Sequence, residues 1–186
     1  MIVSREEPDR YTNLARLFAG EPVDVVLDRR VGERRAHDLS ALCERRRGDR
    51  RIRVRDEVRV PIGRDADVIS VRQKGREFTA AAELSSTDST VIATAVSELA
   101  RNIVSYAKLG EIVLRVIENR HGPGVEVVAA DGGPGIMNIV RALGAPESTR
   151  GEVGGGLAGV RGLVDIFFVT CEPFNGTAIT IRRWRR

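Results

Sequence analysis

The stretch SELARNIVSYA, residues 97–107, decides how this chain reads. Together with Ile92 and Val96 just before it, Leu99, Ile103 and Tyr106 form an apolar stripe spaced four, three, four and three residues apart. That spacing marks a helix with one side packed on a core. Glu98 and Asn102 lie four residues apart, so they stack on one helix face beside the stripe. A carboxylate and an amide held there either face a ligand or cap a loop, and the stretch alone leaves both open.

Regular patterns extend on either side of this helix. RIRVRDEVRVPI (51–62) alternates apolar and charged residues, as a half-exposed strand does. Residues 65–83 read as an amphipathic helix starting at an Asp, and SSTDST as the turn and cap before the helix that runs to Ala107. EIVLRVIEN (111–119) and VEVVAAD (125–131) read as strands joined by HGPG. A short helix is expected over 137–143 and a loose segment up to 156. LAGVRGLVDIF (157–167) reads as a helix, FVTCEP as a strand, NG as a hairpin turn and TAITIRRW as a last strand. This order predicts an α+β fold, a two-layer sandwich of one mixed sheet with helices on one face.

Composition changes near residue 52. The first part, 1–51, is arginine-rich and holds two copies of one pattern, DRRVGERR (28–35) and ERRRGDRR (44–51). Two copies do not make a solenoid. PVDVVL (22–27) reads as a short strand and ERRAHDLSALCERRR (33–47) as a helix. The domains expected are thus an Arg-rich extension over 1–51 and a folded domain over 52–186. The repeats have three readings: a solvated tail, an arm that docks on a partner, or an anion sensor wrapping phosphate in paired guanidinium forks.

The totals exclude several classes. No run of about 18 apolar residues exists, so no helix is expected to span a membrane. MIVSREEPDRYTN lacks the basic start and apolar core of a secretory signal. Cys43 and Cys171 are the only cysteines, which fits a reducing cytoplasm and inert thiols. The net charge is +4, and of 30 basic residues only Lys74 and Lys108 are lysines. With acids interspersed, this balance is too mild to imply nucleic-acid binding.

Two glycine clusters carry the chemistry. DGGPG follows a buried strand, with Asp131 at its end and Gly133 and Gly135 after it. GEVGGGLAG puts Gly154, Gly155 and Gly156 at the mouth of a helix. Glycine lets backbone N–H groups approach a ligand closely, and a helix N-terminus favours an anion. Either cluster alone is compatible with an ordinary turn. Taken with Glu98 and Asn102 they are far more specific.

The three pieces, in this order, resemble the Bergerat, or GHKL, ATP-binding fold. Within that superfamily SELARNIVSYA, AADGGPGI, GGGLAGVRGLVDIF and GTAITIRRW are similar to the RsbT-like switch kinases, which stand beside the anti-sigma-factor serine kinases. The resemblance spans roughly residues 52–184 and leaves out the first 50. It implies a cytoplasmic serine/threonine protein kinase that uses ATP and Mg²⁺. Glu98 then matches the acid that polarises the attacking hydroxyl, and Asn102 the amide that coordinates Mg²⁺. Asp131 matches the carboxylate that accepts from the adenine amino group, with Gly133 and Gly135 passing under the base. Gly154, Gly155 and Gly156 form the second glycine box beside the phosphates, and Thr177 supplies a hydroxyl near adenine. Residues 137–153 match the ATP lid, from which Arg150 reaches the γ-phosphate. Ala158 departs from the pattern, which has proline there; this changes loop stiffness and not the supply of donors.

The resemblance also implies partners: a STAS-domain antagonist as substrate, a PPM-type phosphatase or a sigma factor downstream, and room for a homodimer. The alternatives are an ATP-dependent binding module without transfer and an anti-sigma factor that holds a sigma factor directly. An ATPase of the MutL or Hsp90 kind lacks support, because no transducer domain follows. Arg101 reads as a surface or partner contact. His37 and His121 read as inert, Trp184 as one face of a core strand, and Ser148 and Thr149 as plain lid residues.

Overall fold

The computed structural model describes residues 2–3, 26–27, 52–120, 122–136, 156–171 and 176–185. In chain order they form β1 (Ile2–Val3), β2 (Val26–Leu27), β3 (Arg53–Ile62), α1 (Asp65–Ala81) and α2 (Ser86–Asn102). A π-helical turn, Ile103–Ala107, continues α2 and leads to β4 (Gly110–Asn119) and β5 (Gly122–Asp131). Then come α3 (Leu157–Leu163), β6 (Ile166–Cys171) and β7 (Thr177–Trp184). All seven strands join one sheet in the order β2-β1-β6-β7-β5-β4-β3. β1 runs parallel to both β2 and β6, and every other pairing is antiparallel. The sheet is therefore mixed, as the sequence predicts.

One face of the sheet packs on the helices. Ile112, Leu114 and Val116 of β4, Val125 and Val127 of β5, Ile179 and Ile181 of β7 and Phe167 and Val169 of β6 share a core with Val71, Phe78, Ile92, Val96, Leu99 and Val160. Their alternation along each strand follows from side chains pointing to opposite faces at successive residues. Gly75 of α1 faces α2, where a Cβ would make ordinary van der Waals contact with Ile92 at 3.5 Å and Val96 at 3.7 Å. Both long helices start on side-chain caps. The Asp67 carboxylate accepts from the N–H groups of Gly63 and Arg64 at 3.0 and 2.9 Å. Ser85 Oγ accepts from Asp88 N–H at 3.1 Å, which satisfies donors that a helix start leaves unpaired.

Two details correct the sequence reading. Tyr106 does not continue the buried stripe: it is 74% exposed, while Ile92, Val96, Leu99 and Ile103 are buried. The cause is the π turn, in which Lys108 N–H reaches back five residues to Ile103 O at 2.8 Å. The wider turn rotates Tyr106 off the core face. The second correction is at 157–167, where the helix stops at Leu163 and Ile166 and Phe167 already belong to β6. Asp165 ends the helix, because its carboxylate takes Arg183 Nη1 at 3.0 Å and Trp184 N–H at 2.8 Å. Phe167 and Val169 are then buried two apart, a strand period that the apolar run concealed. The helices expected over 33–47 and 137–143 lie outside the described residues.

A buried ionic set locks the last strand to α2. Arg183 Nε donates to Asp88 Oδ1 at 2.7 Å. Burial pushes the Asp88 carboxyl up, but the Ser85 hydroxyl and the Arg183 guanidinium outweigh that and hold it below the usual aspartate range. No helix among the described residues is long and apolar enough to cross a membrane.

Candidate functional site

The site forms where the end of α2, the exit of β5 and the start of α3 meet. Glu98 is half-buried on the last turns of α2. One of its oxygens accepts from Arg101 Nη1, and the other accepts from Gly156 N–H at 3.4 Å. That second contact joins the acid of α2 to the glycine that caps α3. Gly156 has φ +87°, a left-handed conformation that favours glycine. Asn102 ends α2 one turn after Glu98 and is half-buried, and its side chain makes no capping bond to the π turn.

Asp131 sits at the end of β5, opposite Gly110 on one side and Thr177 on the other. Its Oδ1 accepts from Gly133 N–H at 2.9 Å. Burial pushes the carboxyl above the ordinary aspartate range, against the pull of the N–H groups of Gly133 and Thr177. A carboxyl perturbed in this way beside a cluster of glycines is a candidate functional group. Thr177 is buried beside it at the start of β7. Gly133 is wedged under the π turn: a Cβ there would stand 2.7 Å from the Cβ of Ala107. The turn that exposes Tyr106 thus seats Ala107 on the strand exit that carries Asp131. Gly135 has φ +72°, so the chain leaving Asp131 takes a course that L side chains resist.

The structure therefore brings Glu98 to Gly156, and Asp131 to Gly133 and Thr177. Arg150, Gly154 and Gly155 lie outside the described residues. The sequence reading missed Gly176. Its N–H donates to Gly133 O at 3.0 Å, its φ is +84°, and a Cβ on it would collide with Asp131 O. The signal was present in the Asn-Gly pair before Thr177, read there only as a hairpin turn. Gly110 was also missed; a Cβ there would press on Ala130 O, Ile103 and Asp131. The Glu98–Arg101 ion pair is a third feature that sequence spacing alone did not single out.

The arrangement offers a half-buried acceptor among glycines, and a carboxylate on a separate helix end facing the cap of α3.

Comparison with known proteins agrees with this geometry. The family model described as Histidine kinase-like ATPase domain matches residues 63–183. Serine/threonine-protein kinase RsbT of Bacillus subtilis (strain 168) is 37% identical over 131 residues, which covers 70% of this chain and 98% of that one. The solved structure of the RsbU and RsbW domains of Rv1364c from Mycobacterium tuberculosis shares the fold with a TM-score of 0.50 at 18% identity, covering 69% of this chain and 32% of that one. ATP is the ligand that the family's description carries. With Asp131 set among glycines and these likenesses beside it, the chain belongs to the histidine kinase-like ATPase domain family, in its RsbT-like branch.

Proposed function

We propose that this chain is a switch serine/threonine protein kinase that binds Mg²⁺-ATP and phosphorylates a STAS-domain antagonist. The observation that carries the reading is the bond of Gly156 N–H to Glu98, which sets an acid of α2 against the second glycine box. In this reading Asp131 accepts from the adenine amino group, Thr177 stands beside the base, and Gly133 and Gly135 let the chain run beneath it. Gly154, Gly155 and Gly156 line the phosphates, with Arg150 reaching the γ-phosphate from the lid.

Phosphoryl transfer asks little covalent chemistry of a protein; it asks for an oriented nucleophile and neutralised phosphate charge. Glu98 orients the acceptor hydroxyl of the substrate serine or threonine and takes its proton as the phosphoryl group transfers. Among the described residues no group of three or more His, Cys, Asp or Glu is placed to hold a metal. Mg²⁺ suits a site of this kind, because it keeps several waters and binds through one or two protein oxygens plus the phosphates. Asn102 would hold it, where it would neutralise phosphate charge. The uncapped Asn102 side chain at the end of α2 fits that role.

The ATP-binding domain is assigned to residues 52–186, with 1–51 as its Arg-rich extension. After transfer, release from the antagonist frees the kinase for a downstream regulator, a PPM-type phosphatase or a sigma factor, in the cytoplasm. A homodimer is compatible with this cycle. The second reading is a binding module without useful transfer, and Arg101 favours it, because it occupies the Glu98 carboxylate that chemistry needs.

The test is thermal. A ligand bound only by the native state at about 100 times its dissociation constant adds about 2.7 kcal/mol, or roughly 5–10 °C for a chain of this size. Mg²⁺-ATP is expected to produce that shift in the wild type and none in Asp131→Asn. An unchanged melting temperature in the wild type removes the ATP reading.

A further inference from the structure

Both oxygens of the Glu98 carboxylate are engaged in this chain. One accepts from Arg101 Nη1, and the other accepts from Gly156 N–H at 3.4 Å. The two donors differ in kind. Gly156 belongs to the cap of α3 and is a fixed part of the backbone. Arg101 stands on the same helix as Glu98, three residues on, and its side chain is 57% exposed against 24% for Glu98. The guanidinium is therefore the outward member of the pair, on the side from which an acceptor hydroxyl has to arrive. An ion pair three residues apart on a helix and open to water holds weakly. A second carboxylate brought to Arg101 can replace the first.

The chain that follows Arg101 has one sign of charge. Residues 101–110, RNIVSYAKLG, hold Arg101 and Lys108 and no acid. The next acid, Glu111, is taken by Arg59 at 3.4 Å. Lys108 Nζ donates to a neutral acceptor, the main-chain oxygen of Ser105, at 3.3 Å. Tyr106 and Leu109 of the same stretch are 74% and 73% exposed. Two cations and two bare apolar side chains thus crowd the end of the helix that carries Glu98 and Asn102. Their complement is a protein surface with a carboxylate and an apolar contact beside it.

We propose that Arg101 is a latch on Glu98, and that the protein bringing the acceptor hydroxyl opens it with a carboxylate of its own. The inference rests on the kinase reading and adds the chemistry of the acceptor, an Asp or Glu beside the target serine or threonine. Docking exchanges one ion pair for another. Arg101 turns from Glu98 to the incoming acid, and the freed Glu98 oxygen accepts from the hydroxyl. Without the partner the carboxylate stays covered and does not activate water. Arg101 acts through Glu98 and is a positioning residue. The contact that counts in favour of a module without transfer then becomes the means by which idle hydrolysis of ATP is held down until the acceptor arrives.

The test uses the full chain with Mg²⁺-ATP. With no partner present, Arg101→Ala is expected to release inorganic phosphate about two- to fivefold faster than wild type, the range over which such a pair can hold a carboxylate. Arg101→Lys keeps the cation and stays near the wild-type rate, and Arg101→Ala joined to Glu98→Gln loses the gain. With the STAS-domain protein that the wild type labels, Arg101→Ala is expected to raise KM at least about tenfold, as loss of a charged hydrogen bond does. Its kcat stays at the wild-type value, because the latch is already open in the complex. Melting temperatures check the fold, and Arg101→Ala should keep the wild-type shift with Mg²⁺-ATP. Phosphate release that is unchanged or slower, or an unchanged KM, overturns the latch. A lost thermal shift also overturns it, by placing Arg101 on the phosphates. A wild type that shows no shift and labels no STAS-domain protein overturns the kinase reading itself, and this role with it.

Discussion

Glu98 and Asn102 share a helix face but are expected to fail differently. Glu98→Gln keeps the size and polarity of the side chain and, in the proposed role, removes the base, so ATP affinity should hold while transfer falls. Asn102→Ala removes the oxygen proposed to hold Mg²⁺, so both should fall, with the loss of affinity larger in Mg²⁺ than in EDTA. Isothermal titration and a transfer assay separate the two, and equal behaviour would reassign the roles. Gly133 gives a steric prediction. A Cβ there would stand 2.7 Å from Ala107 Cβ and 3.0 Å from Asp131 Oδ1. Gly133→Ala should therefore cost about 1–3 kcal/mol in urea unfolding, as overpacking does, and should weaken ATP binding by displacing Asp131. Asp131 itself is held above its ordinary pKa. A carboxyl raised on folding stabilises the native state below its unfolded pKa, and that contribution is lost as pH rises through the folded value. Asp131→Asn should then leave the ligand-free protein at least as stable as wild type near neutral pH, even as the response to ATP disappears. Asp131, Gly133 and Thr177 were legible because chemistry ties them to short motifs. Gly176 and Gly110 were not, because what demands glycine there is the approach of a neighbouring strand, which spacing along one segment does not display.

At the scale of elements, period decided what could be read. The alternation in β3 and the stripe of α2 identify themselves, since polar and apolar residues mark opposite faces. β4 and β5 are apolar on both faces, and the turn between them located them. The end of α3 misled, because GLVDIFF is apolar throughout save for its one Asp, and a helix and a strand fit it equally. The π turn was invisible for a different reason: one extra residue in a turn leaves no trace in a stripe that has just ended. Asp88 read only as a cap, although it also anchors Arg183 at 2.7 Å across the molecule. Removing one partner of a buried pair leaves an uncompensated charge, which costs about 3–5 kcal/mol. Arg183→Met should lose that much in urea unfolding, with Asp88 and Asp165 both stranded. The pH dependence has a definite sign. A carboxyl lowered on folding contributes stability above its unfolded pKa, and that stability is lost as pH falls through the folded value. Wild type should lose stability as pH drops below the usual aspartate range, and Asp88→Asn should show a shallower fall. An identical acid profile would mean that the pair contributes little.

At the scale of the whole molecule, the mixed sheet with helices on one face was legible from the order of elements, and the family from three motifs in sequence. The role of the first residues was not legible, because their composition differs so sharply from that of residues 52–186. β1 and β2 nonetheless pair with the sheet at its β6 edge, and strands of two residues carry no readable period. A STAS-domain substrate and a catalytic Glu98 make up the central claim, and direct phosphate transfer tests it. Purified full chain, Mg²⁺ and γ-labelled ATP are incubated with the STAS-domain proteins of the same genome, one at a time. The account predicts label on a serine or threonine of one of them with the wild type, and none with Glu98→Gln under conditions where that variant still binds ATP. Label transferred equally by Glu98→Gln, or no STAS protein labelled by an ATP-bound wild type, would contradict it.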